Sequence, residues 1–187
     1  MINSRADLAT YIAADLATHN VSSWRWRYRF TRRIVYFQWL LRRAEYATNV
    51  RRGGLSRCIA KVMQLRVTLL GEKLGFTVPL NTFGPGLSIA HVGTVVVNPD
   101  ARIGSGCRIH QGVTIGGVAG AAPVLGENVW IGPGAQIFGP IHVGDGAAIG
   151  ANSVVNRDVP GDVTVAGVPA KVIRGHGYRG ADHPAVS

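Results

Sequence analysis

Acidic residues are scarce in the first part of this 187-residue chain. Residues 1–75 contain 14 Lys and Arg against four Asp and Glu, whereas residues 76–187 contain six of each kind. The imbalance predicts two regions of different physical character with a boundary near Gly75. Nucleic-acid-binding motifs are missing from the basic region, so we expect no nucleic-acid partner.

Cysteine and long apolar runs are scarce as well. Cys58 and Cys107 form no CxxC pair and lack metal-type spacing with histidine, so we expect free thiols and no required metal. The apolar run at 34–41 is much shorter than the roughly 20 residues that cross a bilayer. Residues 1–20 lack the basic and apolar segments of a signal peptide. We therefore expect a cytoplasmic protein.

What the second region does contain is an aliphatic residue at every sixth position. A period of six does not fit the α-helix, but it fits short strands joined by tight turns. Three strands would complete one coil, and stacked coils would bury the aliphatic column. The repeat predicts a mainly β fold, a parallel β-helix over residues 76–163, with a C-terminal cap and tail over 164–187. The column comprises Val97, Ile103, Ile109, Ile115, Leu125, Ile131, Ile137, Val143, Ile149 and Val155, and small or aliphatic residues four positions later run from Ala101 to Val159.

The period breaks at two places. Ile89 and Val95 are six apart, yet the next block starts at Val97, and His91 lies just before this slip of two residues. A second break, between Ile115 and Leu125, predicts a loop with four extra residues. Loops on a rigid scaffold often carry functional sites, so both breaks are candidate positions for one.

The basic region, residues 1–75, is predicted to be helical. Its first two helical segments contain no proline, and Ser22 or Ser23 is a suitable N-cap for the second. Glycines mark the expected ends. The predicted helices cover residues 8–20, 22–52 (ending at Gly53-Gly54) and 55–75 (ending at Gly71 or Gly75).

The chain resembles the hexapeptide-repeat acyltransferase superfamily, in its serine acetyltransferase-like branch. Three stretches carry the resemblance: IAHVGTVVVNPDARIGSGCRIHQGVTIGG (89–117), ENVWIGPGAQIFGPIHVGDGAAIGANSVV (127–155) and VAGVPAKVI (165–173). The resemblance implies a left-handed parallel β-helix preceded by an α-helical region. It also implies acetyl-CoA as co-substrate and homotrimers, or dimers of trimers, with active sites between neighbouring β-helices.

His91 occupies the place of the general base in this branch. The chemistry agrees, because attack of an alcohol on a thioester needs a base that is neutral near pH 7 and can later protonate a thiolate. The alternative is a turn histidine with a structural hydrogen bond. A backbone carbonyl is sufficient to orient the second ring nitrogen of a histidine, so a carboxylate is not required.

Other residues match the cofactor-binding positions of the branch. Gly116 and Gly117 match a Gly-Gly pair whose backbone N–H groups meet the pantetheine arm. Two small residues fall where the same groove is lined, and two cations are placed to meet the CoA phosphates or else belong to a solvated cap. These further residues are Ala135, Ser153, Lys171 and Arg174.

Two departures from the branch concern the acceptor. An Asp normally stands fifteen residues before the catalytic His and often directly before it, but here these positions are Phe76 and Ala90. An Arg-His pair normally follows the Gly-Gly, but here the loop VAGAAPV (118–124) is uncharged. A serine zwitterion needs a partner for each charge, so the departures favour a neutral hydroxyl.

The segment WRWRYRF (24–30) alternates aromatic residues with arginine. It fits a helical cap whose arginine stems cover apolar surface, peripheral contact with an anionic membrane face, or electrostatic steering of an anionic substrate. The sequence does not decide between these.

We predict an acetyl-CoA-dependent O-acetyltransferase acting on a hydroxyl of a sugar or polysaccharide. One alternative is a serine O-acetyltransferase of cysteine biosynthesis, and another is a non-catalytic hexapeptide scaffold. Function depends on the site rather than the fold, so the acceptor stays open at this point.

Overall fold

The helical region precedes the β-helix, as expected. The structure, a computed structural model, describes residues 1–50, 53–118 and 120–177. The helices are α1 (Arg5–Ala17), α2 (Tyr28–Thr31), α3 (Arg33–Val50) and α4 (Gly54–Leu74). Ser4 caps α1, since its Oγ accepts from the Asp7 backbone N–H at 3.0 Å. This cap starts α1 three residues before the predicted segment.

The third predicted helix, which is α4, ends at one of the two glycines that the sequence offered. Gly75 has a left-handed φ of 81° and donates its N–H to the carbonyls of α4's last turn. Gly71 instead lies inside α4 and faces the next strand. A Cβ there would stand 2.6 Å from the Phe76 carbonyl oxygen, so Gly71 is needed for close packing and not for termination.

The second predicted helix is confirmed only in part, because helix covers residues 28–31 and 33–50 of the predicted 22–52. Ser22 and Ser23 cap no helix, and the short α2 begins only at Tyr28. Arg32 is not helical and separates α2 from α3. The cause is non-local, because the Trp24 ring stacks on the Trp39 ring with centroids 4.4 Å apart. Residues fifteen apart cannot meet in a straight helix, so the chain must fold back. The predicted end at residues 51–52 lies outside the described residues.

The β-helix consists of three sheets of parallel strands around one apolar interior, with one antiparallel strand added at the C-terminal edge. One sheet contains β1 (Phe76–Thr77), β3 (Val95–Val97), β6 (Val113–Gly116), β9 (Gln136–Phe138) and β12 (Val154–Val155). A second contains β4 (Arg102–Ile103), β7 (Val124–Leu125) and β10 (His142–Val143). The third, in spatial order, contains β2 (Ser88–Ile89), β5 (Arg108–Ile109), β8 (Trp130–Ile131), β11 (Ala148–Ile149), β13 (Thr164–Gly167) and β14 (Ala170–Arg174).

Strand register confirms the first predicted break. A regular coil contains three hexapeptide repeats, because Ile131 pairs with Ile149. Ile89 instead pairs with Ile109, two positions later than a regular coil would place its partner. The pairing of β3 with β6 is regular again, so the two extra positions lie between β2 and β3, in the turn that holds His91.

The second predicted break is confirmed in the same way. Ile103 pairs with Leu125, four positions later than a regular coil would place its partner. The four extra residues therefore belong to the loop between β6 and β7, as the sequence indicated.

A third break was not predicted. Val143 pairs with Val159 and Ile149 with Val165, each two positions earlier than a regular coil would require. Val159 is thus a column residue and not the small residue that the period assigned, because the chain shortens its turn by two before the last coil. Parallel pairing continues to Val165, past the predicted boundary at residue 163, and the antiparallel hairpin of β13 and β14 follows.

Candidate active site

His91 lies in the turn between β2 and β3, and it is exposed. Its backbone is held from both sides. Ala90 donates its N–H to the Ile109 carbonyl at 3.0 Å, and Gly93 donates to the Leu74 carbonyl at 3.1 Å. The first bond belongs to the next coil and the second to the end of α4. The turn is therefore fixed between the β-helix and the helical region.

A buried ion cluster anchors the chain just before this turn. Arg42 of α3 is fully buried and contacts Asp15 at 2.8 Å and Glu45 at 3.1 Å. It also donates to the carbonyls of Phe83 and Gly84, at 3.0 and 2.7 Å. Burial acts to lower the pKa of Arg42, but the two carboxylates outweigh it and raise the pKa above its ordinary value.

The two acids of this cluster bind the same stretch of backbone. Asp15 accepts from the backbone N–H groups of Gly86 and Leu87, both at 2.9 Å, and Glu45 accepts from that of Asn81 at 2.8 Å. Burial raises the pKa of Asp15, yet its oxygens accept only from N–H donors, so we assign it as the carboxylate. Asp15 is committed to structure and is not a partner for His91.

The imidazole of His91 contacts a second imidazole. The ring of His110, in the next coil, lies 5.9 Å from the His91 ring between centroids, and the Trp130 ring lies 5.1 Å beyond that of His110. These side chains come from three successive coils of one sheet. Among the described residues no side-chain hydrogen bond is found for His91, and the His110 ring is its aromatic neighbour.

Sequence reasoning missed His110. The shifted register at the first break places His110 beside Ala90, directly after paired Ile89 and Ile109. Only the pairing, and not the hexapeptide period alone, brings the two histidines together.

The Gly-Gly pair stands at the entrance of the inserted loop. Gly116 ends β6, and Gly117 is exposed. A Cβ on Gly117 would lie 2.7 Å from the Asn98 Nδ2 and 2.9 Å from the Ala121 carbonyl oxygen. Val118 and Ala121 close the loop by exchanging backbone hydrogen bonds of 2.8 and 3.1 Å. A side chain at position 117 would therefore clash with the closed loop.

Ala135 and Ser153 lie inside the β-helix and not on its surface. Both are fully buried, and the Ser153 Oγ accepts from the Gly167 backbone N–H at 3.2 Å. Contrary to the expectation, their side chains do not line a surface groove of the single chain, because both point into the interior of the β-helix. Their part in cofactor binding stays a prediction.

Lys171 and Arg174 are exposed on β14, at the far end of the third sheet from His91. Five strand spacings separate β2 from β14, which is about 24 Å within one chain. The structure thus does not bring these cations to His91. Only an elongated ligand, or a neighbouring copy, would connect them.

The positions that the branch fills with acids are apolar in the structure too. Phe76 is buried and packs edge-on against Phe37, with ring centroids 5.2 Å apart. Ala90 is half-buried between β2 and His91. Neither position therefore offers His91 a carboxylate.

Across the described ranges no group of three or more His, Cys, Asp and Glu is arranged to hold an ion. Cys58 is an exposed free thiol, and burial raises the pKa of the Cys107 thiol to about 12. In the same ranges no helix has the length and apolar character that a membrane crossing requires.

Comparison with known proteins places this geometry in context. Residues 122–157 match the family model of the bacterial transferase hexapeptide (six repeats). A serine acetyltransferase of Synechococcus elongatus is 45% identical over 100 residues, which are 51% of this chain and 41% of that protein. The chain thus spans about two fifths of that relative's length.

Two solved structures extend the likeness to the helical region. A Brucella abortus serine acetyltransferase in complex with coenzyme A has a TM-score of 0.69 and 27% identity, over 94% of this chain and 71% of that one. A soybean serine acetyltransferase complexed with serine has a TM-score of 0.70 and 28% identity, over 90% and 70%. The predicted fold class, a left-handed parallel β-helix preceded by helices, is confirmed.

Proposed function

Because the chain belongs to the serine acetyltransferase-like branch of the hexapeptide-repeat acyltransferase superfamily, we propose that it is an acetyl-CoA-dependent O-acetyltransferase with His91 as general base. One observation carries the proposal: an exposed imidazole stands at the slip of an otherwise regular coil, in a fold shared with a coenzyme A-binding enzyme. The homotrimer, or dimer of trimers, and a cytoplasmic location stay predictions.

In the proposed reaction His91 takes the proton of the acceptor hydroxyl. The alkoxide attacks the thioester carbonyl, and backbone N–H groups near Gly117 stabilise the oxyanion. The tetrahedral intermediate then expels the CoA thiolate, which takes the proton back from His91. His110 is a positioning residue in this scheme, because its ring packs on the His91 ring.

The relatives favour serine as the acceptor over the sugar hydroxyl that the sequence predicted. The relative matched by sequence is named a serine acetyltransferase, and the soybean structure holds serine. A glycan hydroxyl is kept as a second candidate by one observation, the apolar Phe76 and Ala90 at positions where the branch has acids.

Replacing His91 by Ala is expected to lower turnover by about 10²–10⁴-fold, because positioned proton transfer contributes that much. Binding of CoA should stay near normal. The measurement is CoA release from acetyl-CoA, with serine set against neutral sugars and oligosaccharides, and titration calorimetry with CoA. His142→Ala, an exposed histidine on another sheet, is the matched control and should keep full turnover.

Turnover that survives in His91→Ala would disprove the assignment of the base. Absence of CoA release with every acceptor, together with absent CoA binding, would favour the non-catalytic scaffold. A preference for serine would support a serine O-acetyltransferase, which the relatives favour. A preference for sugars would support a glycan hydroxyl as the acceptor.

A further inference from the structure

A cationic groove lies beside the turn that carries His91. It is open to solvent, has a volume of about 460 Å³, and runs between the helical region and the first coil. Val92, the residue after His91, forms one wall and is itself exposed. The groove is therefore contiguous with the turn of the proposed base. The opposite wall is formed by His19, Phe30, Thr31, Arg32, Arg33, Ile34 and Val35.

The charge of the groove is positive. Arg32 and Arg33 are both exposed, and neither forms an ion pair with a described carboxylate, since the ion pairs of the described chain all belong to Arg42. The guanidinium of Arg32 is positioned by the Tyr28 ring, 5.7 Å from its centroid, and by the His19 carbonyl at 3.3 Å. A positioned guanidinium without a counter-ion is suited to an anionic ligand.

The polar wall of the groove is built on a buried network. His19 Nε2 lies 2.6 Å from the Gln38 Oε1, and the Gln38 Nε2 donates to the Leu87 carbonyl. Because the Gln38 Oε1 can only accept, His19 carries its proton on Nε2 and keeps Nδ1 as an acceptor. Burial lowers the pKa of His19, so the ring adds no charge. The groove thus combines two cations, one neutral imidazole and apolar walls.

We propose that this groove binds a carboxylate or phosphate of the acceptor through Arg32 and Arg33, and so presents the acceptor hydroxyl to His91. The proposal rests on the function proposed above and names the substrate class of that site. In this proposal Arg32 and Arg33 supply the positive charge that the uncharged loop 118–124 lacks. Two sources fit the same chemistry, an amino acid such as serine and an anionic sugar.

The test compares related acceptors with and without an anionic group. Serine is set against serinamide, and glucuronate and glucose 1-phosphate against glucose. Binding to the full chain is measured by calorimetry without acetyl-CoA, and KM and kcat are measured with it. Replacing Arg32 and Arg33 together by Ala should weaken binding of the anionic acceptor and raise its KM about ten-fold or more. The kcat, the KM for acetyl-CoA and the KM for the neutral acceptor should not change.

Two further variants exclude general effects. Arg32→Lys/Arg33→Lys keeps both charges and should restore most of the affinity. Arg25→Ala/Arg57→Ala removes the same charge from exposed positions outside the groove and should leave all constants near wild type. An equal loss in this control, or an equal loss for neutral acceptors, overturns the proposal.

The two proposals fail in distinguishable ways. If no acceptor releases CoA but anions still bind in an Arg32- and Arg33-dependent manner, the acetyltransfer proposal fails and the groove assignment stands. If CoA is released with serine or sugars and the Arg variants behave like wild type, the groove assignment fails alone. If the groove assignment stands, the serine and glucuronate arms identify which source of the anion the groove prefers.

Discussion

The helical region and the β-helix are stabilised by different interactions. In the β-helix a continuous column of buried aliphatic side chains faces inward from every coil, and no ion pair forms among its described residues. In the helical region the largest fully buried side chain is Arg42, neutralised by Asp15 and Glu45. Both regions bury apolar side chains, but only the helical region adds a buried ion cluster to them. His91 lies where the two meet.

The largest expected effect is that of Arg42→Ala. The change leaves Asp15 and Glu45 buried without their cation, which costs about 3–5 kcal/mol in similar cases. We expect the free energy of unfolding to fall by about that amount in urea titrations. Because the same cluster anchors residues 81–87, turnover should fall as well.

Arg57→Ala, at an exposed position on α4, is the control and should stay within about 0.5 kcal/mol of wild type. A similar stability of both variants would show that the cluster is not what joins the helices to the first coil.

A glycine pair tests the difference in packing. A Cβ on Gly132 would stand 2.8 Å from the Ala151 backbone N, whereas one on Gly54 would meet nothing within 4 Å. Gly132→Ala should destabilise by about 1–3 kcal/mol through overpacking. Gly54→Ala should be neutral or stabilising by up to about 1 kcal/mol. Thermal unfolding of both measures the contrast, and equal melting temperatures would contradict it.

The free energy of unfolding is expected to depend on pH through His19, which lies in the helical region. Burial lowers its pKa from the ordinary 6.5, so the unfolded chain takes up the proton at a higher pH than the folded one. Stability should therefore fall as pH drops below about 6.5. His19→Gln should lose less stability between pH 7.5 and 5.5 than wild type, measured by urea unfolding at both values. The exposed His142→Gln should not differ from wild type, and an identical slope in His19→Gln would refute the assignment.

The smallest expected effect concerns membrane contact, which stays a prediction. Trp26 and Phe30 are 70% and 68% exposed, in a segment rich in arginine, and aromatic and basic side chains together favour anionic interfaces. The protein should sediment together with vesicles that contain phosphatidylserine. Trp26→Ser should reduce the bound fraction several-fold. Val172→Ser, on the β-helix cap, should not. Equal binding to phosphatidylcholine-only vesicles, or none to either kind, would contradict the prediction.

Local regularity explains how well each region was predicted. The β-helix repeats a six-residue pattern, so its column and its first two breaks follow from neighbouring residues. Val159 was misassigned because the last turn shortens by two residues, and nothing in the period marks that. The start of the helix predicted over 22–52 was wrong because stacking of Trp24 on Trp39 is a contact between distant residues.

The sequence by itself determined the coil, its insertions, the position of His91 at the first slip and the absence of the branch's acids at residues 76 and 90. These depend on order along the chain. Only the tertiary structure decided that His110 packs on His91, that Asp15 is occupied by Arg42, and that Arg32 and Arg33 border the same turn. Those facts depend on which distant segments pack together, and packing is decided by shape and burial across the whole fold.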